Sequence, residues 1–135
     1  MPTHHEQLAI TTERKTGTAT ITDKVRAAVS RSKVTDGICV VAIRHTTAGV
    51  FVNENADPAV QRDLVSHLAK LVPRDEDFLH AEGNADAHIK AVLTGNDVVL
   101  PVRNGALELG QWQGIYVAEF DGPRERQVTV TVIGD

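Results

Sequence analysis

Three of the six histidines in this 135-residue chain stand where ligand chemistry is plausible. His45 opens His45-Thr46-Thr47-Ala48-Gly49 immediately after the apolar run Ile38 to Ile43. His80 and His88 bracket Glu82, Gly83, Asn84 and Asp86 within a second ten-residue stretch. Imidazoles converging from rigid elements suit zinc or a similar borderline ion, and the glycine between His80 and His88 lets the loop fold back toward one point. Glu82 and Asp86 could ligate or orient the rings. On this reading His45, His80 and His88 share a divalent metal. On the alternative, each ring hydrogen-bonds in its own neighbourhood. No compact zinc signature such as HExxH is present.

Asn53-Glu54-Asn55 places three oxygen-bearing side chains before a helix start, whose free N–H groups suit an anion, although an ordinary capping loop has the same composition. The segment around Asn84 offers the same two readings, with Lys90 and Arg103 as nearby sources of positive charge. Gly110-Gln111-Trp112-Gln113-Gly114 holds the single tryptophan. It is read as a bulge against the core, a pocket wall or a subunit contact. His67 falls at the edge of a helical apolar stripe and is expected to be half-buried and structural. Cys39, inside an apolar run, reads as a small buried hydrophobe.

The formal charge is -4 and the isoelectric point about 5.8, with no basic stripe, so a nucleic-acid partner is not expected. One cysteine excludes an intramolecular disulfide. No apolar stretch reaches the ~20 residues of a membrane span, and the opening residues lack a leader pattern, so a cytoplasmic protein is expected. With three Phe, one Trp and one Tyr, the core must come from aliphatic side chains, which favours sheets.

These residues need positioning elements. Residues 1 to 6, including His4 and His5, read as a mobile end. Gln7 to Thr12 and Thr16 to Ile21 read as a strand and its hairpin partner, and Thr22 as the cap of a helix ending near Ser32. Ile38 to Ile43 is a central strand and Val50 to Val52 another. Asp57 and Pro58 start a helix whose stripe is Val60, Leu64, Leu68, Leu71 and Val72, and Pro73 stops it. Asn84 caps a helix from Ala85 to Leu93, ended by Gly95. Asn104-Gly105 joins Val98–Val102 to Ala106–Leu109 as a tight hairpin, with Pro101 marking an edge or bulge. Ile115–Phe120 and Val128–Ile133 complete an α+β domain spanning residues 1–135, with a mainly antiparallel sheet and two to three helices.

The segments HTTAGVFVNENADP, LHAEGNADAHIKA and VRNGALELGQWQGIYVAEFDGPRERQVTVTVIG resemble the YjbQ-like family, which carries the name secondary thiamine-phosphate synthase; the likeness runs from about residue 7 to the C-terminus. The resemblance implies an α+β homotrimer with pockets near subunit boundaries, a metal group of His45, His80 and His88, and an acidic motif position at Glu54. It places Asn55, Asp86, Gln111, Trp112 and Glu119 around the same cavity, and Gly49 and Phe51 at variable positions. The implied reaction joins hydroxymethylpyrimidine pyrophosphate to thiazole phosphate with release of pyrophosphate. Zinc at the histidines, or Mg²⁺ held by Glu54 and Asp86, would clamp the pyrophosphate. Thr46, Thr47 and Asn84 would bind phosphate oxygens, and Trp112 would stack on the pyrimidine. Two other functions fit the same residues: a zinc hydrolase with Glu54 or Glu119 as base, and a non-catalytic trimeric module that binds a phosphorylated metabolite.

Overall fold

Alternation with a period of two writes the core. In the computed structural model, which describes residues 1–135, the chain runs β1 (Thr3–Thr11), β2 (Gly17–Thr20), α1 (Thr22–Ser32), β3 (Asp36–Ile43), β4 (Ala48–Glu54), α2 (Pro58–Leu71), α3 (Ala85–Thr94), β5 (Asp97–Arg103), β6 (Ala106–Leu107), β7 (Gln113–Glu119) and β8 (Glu125–Gly134). Cys39, Val41 and Ile43 of β3 and Val128, Val130 and Val132 of β8 all face one interior. Five strands form one sheet in the order β1-β8-β3-β5-β6, and three form another in the order β2-β7-β4. Every pairing is antiparallel.

The main core lies between the sheets, with Val25, Ala28 and Val29 of α1 packed into it. A smaller cluster joins Leu68 of α2 and Ala87 and Ala91 of α3 to Ala118 and Phe120. Strand β7 is therefore buried on both faces, which explains its unbroken run from Gly114 to Phe120. The fold is α+β, as the sequence predicts, with three helices but two sheets rather than one. No helix is long and apolar enough to cross a membrane.

Several local expectations change. The strand expected from Gln7 begins at Thr3, because His4 and His5 continue the ladder opposite Val132 and Thr131 instead of forming a free end. Arg31 of α1 holds Glu6 in place, with its Nη2 at 2.7 Å from Oε1. The expected hairpin between the first two strands does not form, since β1 pairs with β8 and β2 with β7. Thr22 is the first residue of its helix, and its hydroxyl accepts the Ile115 N–H at 2.9 Å instead of capping. His67 is exposed, and Leu71 is outside the apolar contact, because only Leu68 of α2 is buried.

Other signals are read as expected. Asp57 Oδ1 accepts the Ala59 N–H at 2.9 Å with Pro58 at the first helical position. Asn104 and Gly105 both have positive φ, 54° and 77°, as a type I′ turn requires. Pro101 is tolerated because its carbonyl accepts the Glu108 N–H, so its donor-less edge faces the end of the two-residue β6 and not the β3 ladder.

Gly49, at a position the resemblance marks as variable, is tightly constrained. A Cβ there would lie 2.7 Å from the Gly95 carbonyl oxygen and 2.1 Å from Thr94 Oγ1, where β4 passes the end of α3. Gly49→Ala should cost about 1–3 kcal/mol by overpacking, read as a lower urea midpoint. Gly17→Ala, whose Cβ would meet only Arg14 side-chain atoms at 3.7 Å or more, should leave the midpoint nearly unchanged.

Candidate functional site

Where β3 leaves the sheet, the next ladder donor on β8 needs an acceptor. The last β3–β8 pair is Ile43 with Val128, and the following β8 N–H, that of Gln127, donates to His45 Nε2 at 2.9 Å. The imidazole thus takes the place of a backbone carbonyl at the strand end. Partial burial and the Arg126 guanidinium lower the pKa of His45, outweighing the opposing effect of Glu119. With Nε2 accepting the Gln127 N–H, the proton of the ring sits on Nδ1.

Beneath this turn lies a buried ion pair. Arg126 is 1% exposed and donates from Nε to Glu119 Oε1 at 2.8 Å and from Nη2 to Glu119 Oε2. The same Nη2 reaches Thr47 Oγ1 at 2.9 Å and Thr47 O at 3.1 Å. Thr12 donates to Glu119 at 2.7 Å, and the Asp121 N–H does so at 2.9 Å. Burial pushes the Glu119 pKa up, but these donors and the Arg126 charge bring it below the ordinary value. Glu119 is therefore a fixed carboxylate rather than the base considered from sequence. Beside it, Asp121 joins Lys15, Asn84 Nδ2 at 2.9 Å and Arg124 Nη2 at 3.3 Å. Asn84 occupies the cap position of α3, yet its amide goes to Asp121 and makes no cap bond.

A cleft of about 420 Å³ opens between the His45 turn and α3, lined by His45, Thr46 and Ala48 on one side and His88, Ala91 and Val92 on the other, with Gly95 and Asn96 at its end. Thr46 is exposed toward it, whereas Thr47 turns inward to Arg126. His88 also borders an adjoining groove with Phe78, Leu79 and His80, and its ring lies 5.2 Å from that of His80, edge to face. Asp86 points away into a buried pair with Lys90 at 2.8 Å. The structure thus joins His45 to His88 and His88 to His80.

It does not assemble the expected metal group. No set of three or more His, Cys, Asp or Glu side chains comes together to hold an ion. His45 is unsuited to it: ligation through Nε2 would strip the Gln127 N–H of its acceptor, and ligation through Nδ1 would turn an Nε2–H against that N–H. The Mg²⁺ pair is not assembled either, because Asp86 is committed to Lys90 and Glu54 is remote.

Glu54 stands at the far end of β4. Ala48 pairs with Glu119 and Glu54 with Gln113, so six strand steps of ~3.3 Å put about 20 Å between the two ends. At that end the Asn55 N–H donates to Trp112 O at 2.9 Å, the Tyr116 hydroxyl donates to Glu54 O at 3.2 Å, and Phe51 stacks on Tyr116 with centroids 5.5 Å apart. Asn55, Gln111 and Trp112 are exposed there. Within one chain the residues carried over by resemblance therefore form two groups.

Sequence reading missed Arg126, Asp121, Lys15, Thr12 and Asn96. Arg126 had a signal: it is in phase with Val128, Val130 and Val132, as Glu119 is with Ile115 and Val117, so both charges fall on inward positions.

Arg126→Met should destabilise by about 3–5 kcal/mol because Glu119 is left buried and unpaired, and adding Glu119→Leu should recover much of that in the urea midpoint. A second expectation concerns acid. Lys15 and Asn84, against burial, hold Asp121 down from 3.8 to about 2, and Arg31 and His4 hold Glu6 down from 4.5 to about 2. Both contributions are full above about pH 5 and fade as pH falls toward 2, so stability should decline over that window. Asp121→Asn should make the decline shallower in urea titrations at several pH values.

Residues 6–135 match the family model described as UPF0047 protein YjbQ-like. A UPF0047 protein of Methanocaldococcus jannaschii is 48% identical over 93% of this chain and 91% of its own length. UPF0047 protein YugU of Bacillus subtilis is 39% identical, covering 94% of this chain and 97% of its own. Among solved structures, a Clostridium acetobutylicum protein of the same family superposes with a TM-score of 0.93 at 48% identity, covering 95% of this chain and 99% of that one. A Sulfolobus solfataricus protein of unknown function gives a TM-score of 0.95 at 32% identity over 98% of each chain. Likeness along nearly the whole chain, in sequence and in backbone, means that this protein belongs to the YjbQ-like UPF0047 family.

Proposed function

We propose that the cleft between the His45 turn and α3 binds the phosphate of a small phosphorylated metabolite, and that the protein acts there as a thiamine-phosphate-synthase-like transferase. The observation that carries this reading is the composition of the cleft. Its polar lining is His45, Thr46, His88 and Asn96, with no carboxylate, and its volume of about 420 Å³ suits a small ligand. Glu119, beneath the turn, is already neutralised by Arg126.

In the proposed reaction hydroxymethylpyrimidine pyrophosphate and thiazole phosphate are joined and pyrophosphate leaves. Such a displacement needs no nucleophilic side chain. It needs the two substrates held close and hydrogen-bond donors set toward the departing oxygens. Thr46 and Asn96 supply neutral donors, and His45 a ring N–H. Hydrolysis is less well supported, since Glu119 is consumed by its partners and Glu54 lies at the other end of β4.

A homotrimer is part of the same proposal. Val92 is 80% exposed and Leu93 54% exposed on α3, and Trp112 is 59% exposed beyond the far end of β4. Packing the Trp112 end of one copy over the cleft of the next would cover both surfaces and unite the two separated groups of residues.

The test is thiamine phosphate formation from the two precursors, followed by mass spectrometry, with protein mass measured by light scattering. Wild type should turn over slowly as a particle of three chains. Thr46→Val and His88→Ala should each lower kcat/KM by about 10- to 100-fold, the range for losing a hydrogen bond to a charged group, ~1.5–3 kcal/mol. Tight binding of the precursors without product would reduce the protein to a binding module, and no binding of either would end the reading.

A further inference from the structure

One residue implied as a metal ligand, His45, does not fit that task, and the misfit assigns it a different one. We infer that His45 is a fixed hydrogen-bond donor to an anionic oxygen in the cleft, through Nδ1–H, and is not a metal ligand. The inference deepens the proposed function, since it rests on the cleft receiving a phosphate.

The geometry works through the two ends of one ring. A neutral imidazole has one protonated and one unprotonated nitrogen. The Gln127 N–H takes the lone pair of Nε2 at 2.9 Å, so the proton must sit on Nδ1. Gln127 cannot release this acceptor at no cost. Its N–H is the ladder donor just past the last β3–β8 pair, and the Arg126 side chain one residue earlier is locked to Thr47 on the same turn. The turn is thereby held from both sides of His45. Nδ1 has no partner within the chain and is not sealed from solvent, while the ring itself lines the cleft.

Charge favours the same role. With Nε2 occupied by the Gln127 N–H, the ring presents a single N–H donor, of fixed tautomer, to an anion. Thr46 and Asn96 add donors along the same wall, and no carboxylate in the lining competes for them. A metal ion would need a lone pair that His45 does not have to offer. His80 and His88 lack this restraint, since neither ring accepts a backbone N–H.

The experiment is a two-bond ¹H–¹⁵N histidine correlation spectrum of the full-length protein at pH 7.5, with His45 identified by the signal lost in His45→Gln. The expected result is protonated Nδ1 and unprotonated Nε2 for His45, unchanged by one equivalent of Zn²⁺ and shifted by inorganic phosphate. His45→Ala, checked for folding by thermal melting, should weaken phosphate by about 10- to 100-fold. An Nε2–H tautomer, or a His45 signal that Zn²⁺ converts to a metal-bound one, would overturn the inference. Phosphate that binds without moving His45 overturns its donor role while leaving the cleft a phosphate site. Phosphate that fails to bind while the Nδ1–H tautomer persists overturns the function proposed above, and the donor role with it.

Discussion

The buried Arg126–Glu119 pair is the interaction on which the rest of this structure depends. Removing two charges from water is costly, and the cost is offset only where nearly every donor and acceptor is used. Here the carboxylate collects Arg126, the Thr12 hydroxyl and the Asp121 N–H, while the guanidinium also holds both oxygens of Thr47. One pair therefore connects β7 of the small sheet, β8 of the large sheet, the end of β1 and the turn after β3. Without it the two sheets would still share an aliphatic core, but the turn that carries His45 and Thr46 would lose its side-chain anchor at Thr47.

That turn shows how a fold defect becomes a site. An antiparallel ladder that ends in the interior leaves a backbone N–H needing an acceptor, and His45 supplies it from a side chain. An imidazole differs from a carbonyl in having a second nitrogen on the far side of the ring. Satisfying the ladder at one nitrogen sets the chemistry of the other. The cleft wall is thus built in part from a hydrogen bond that continues the sheet, with Arg126 holding the same turn at Thr47.

The small sheet has an opposite consequence. Strands β4 and β7 run the full length between the two groups of residues, with Ala48 and Glu119 at one end and Glu54 and Gln113 at the other. Their rigidity keeps Glu54, Asn55, Gln111 and Trp112 away from the His45 cleft of the same chain. The exposed aliphatic face of α3 and the exposed Trp112 lie at these separate places, where the proposed assembly of copies would bring them together.

Local grammar settled much of the architecture in the sequence alone. Asp57-Pro58 starts α2, Gly95 ends α3, Asn104-Gly105 turns β5 into β6, and the alternating valines of β8 define its inner face, because caps, turns and periodicity depend on neighbours a few residues away. The same short-range logic proposed three histidines as one group, yet it could not see the partner of any of them. Only the tertiary structure decided that His45 faces Gln127, that Glu119 is neutralised by Arg126 and Asp86 by Lys90, and that Glu54 is about 20 Å from the turn it was expected to serve. The physical reason is range: ligand sets and protonation states depend on groups brought together from distant parts of the chain by strand pairing, and pairing register is a property of the folded whole.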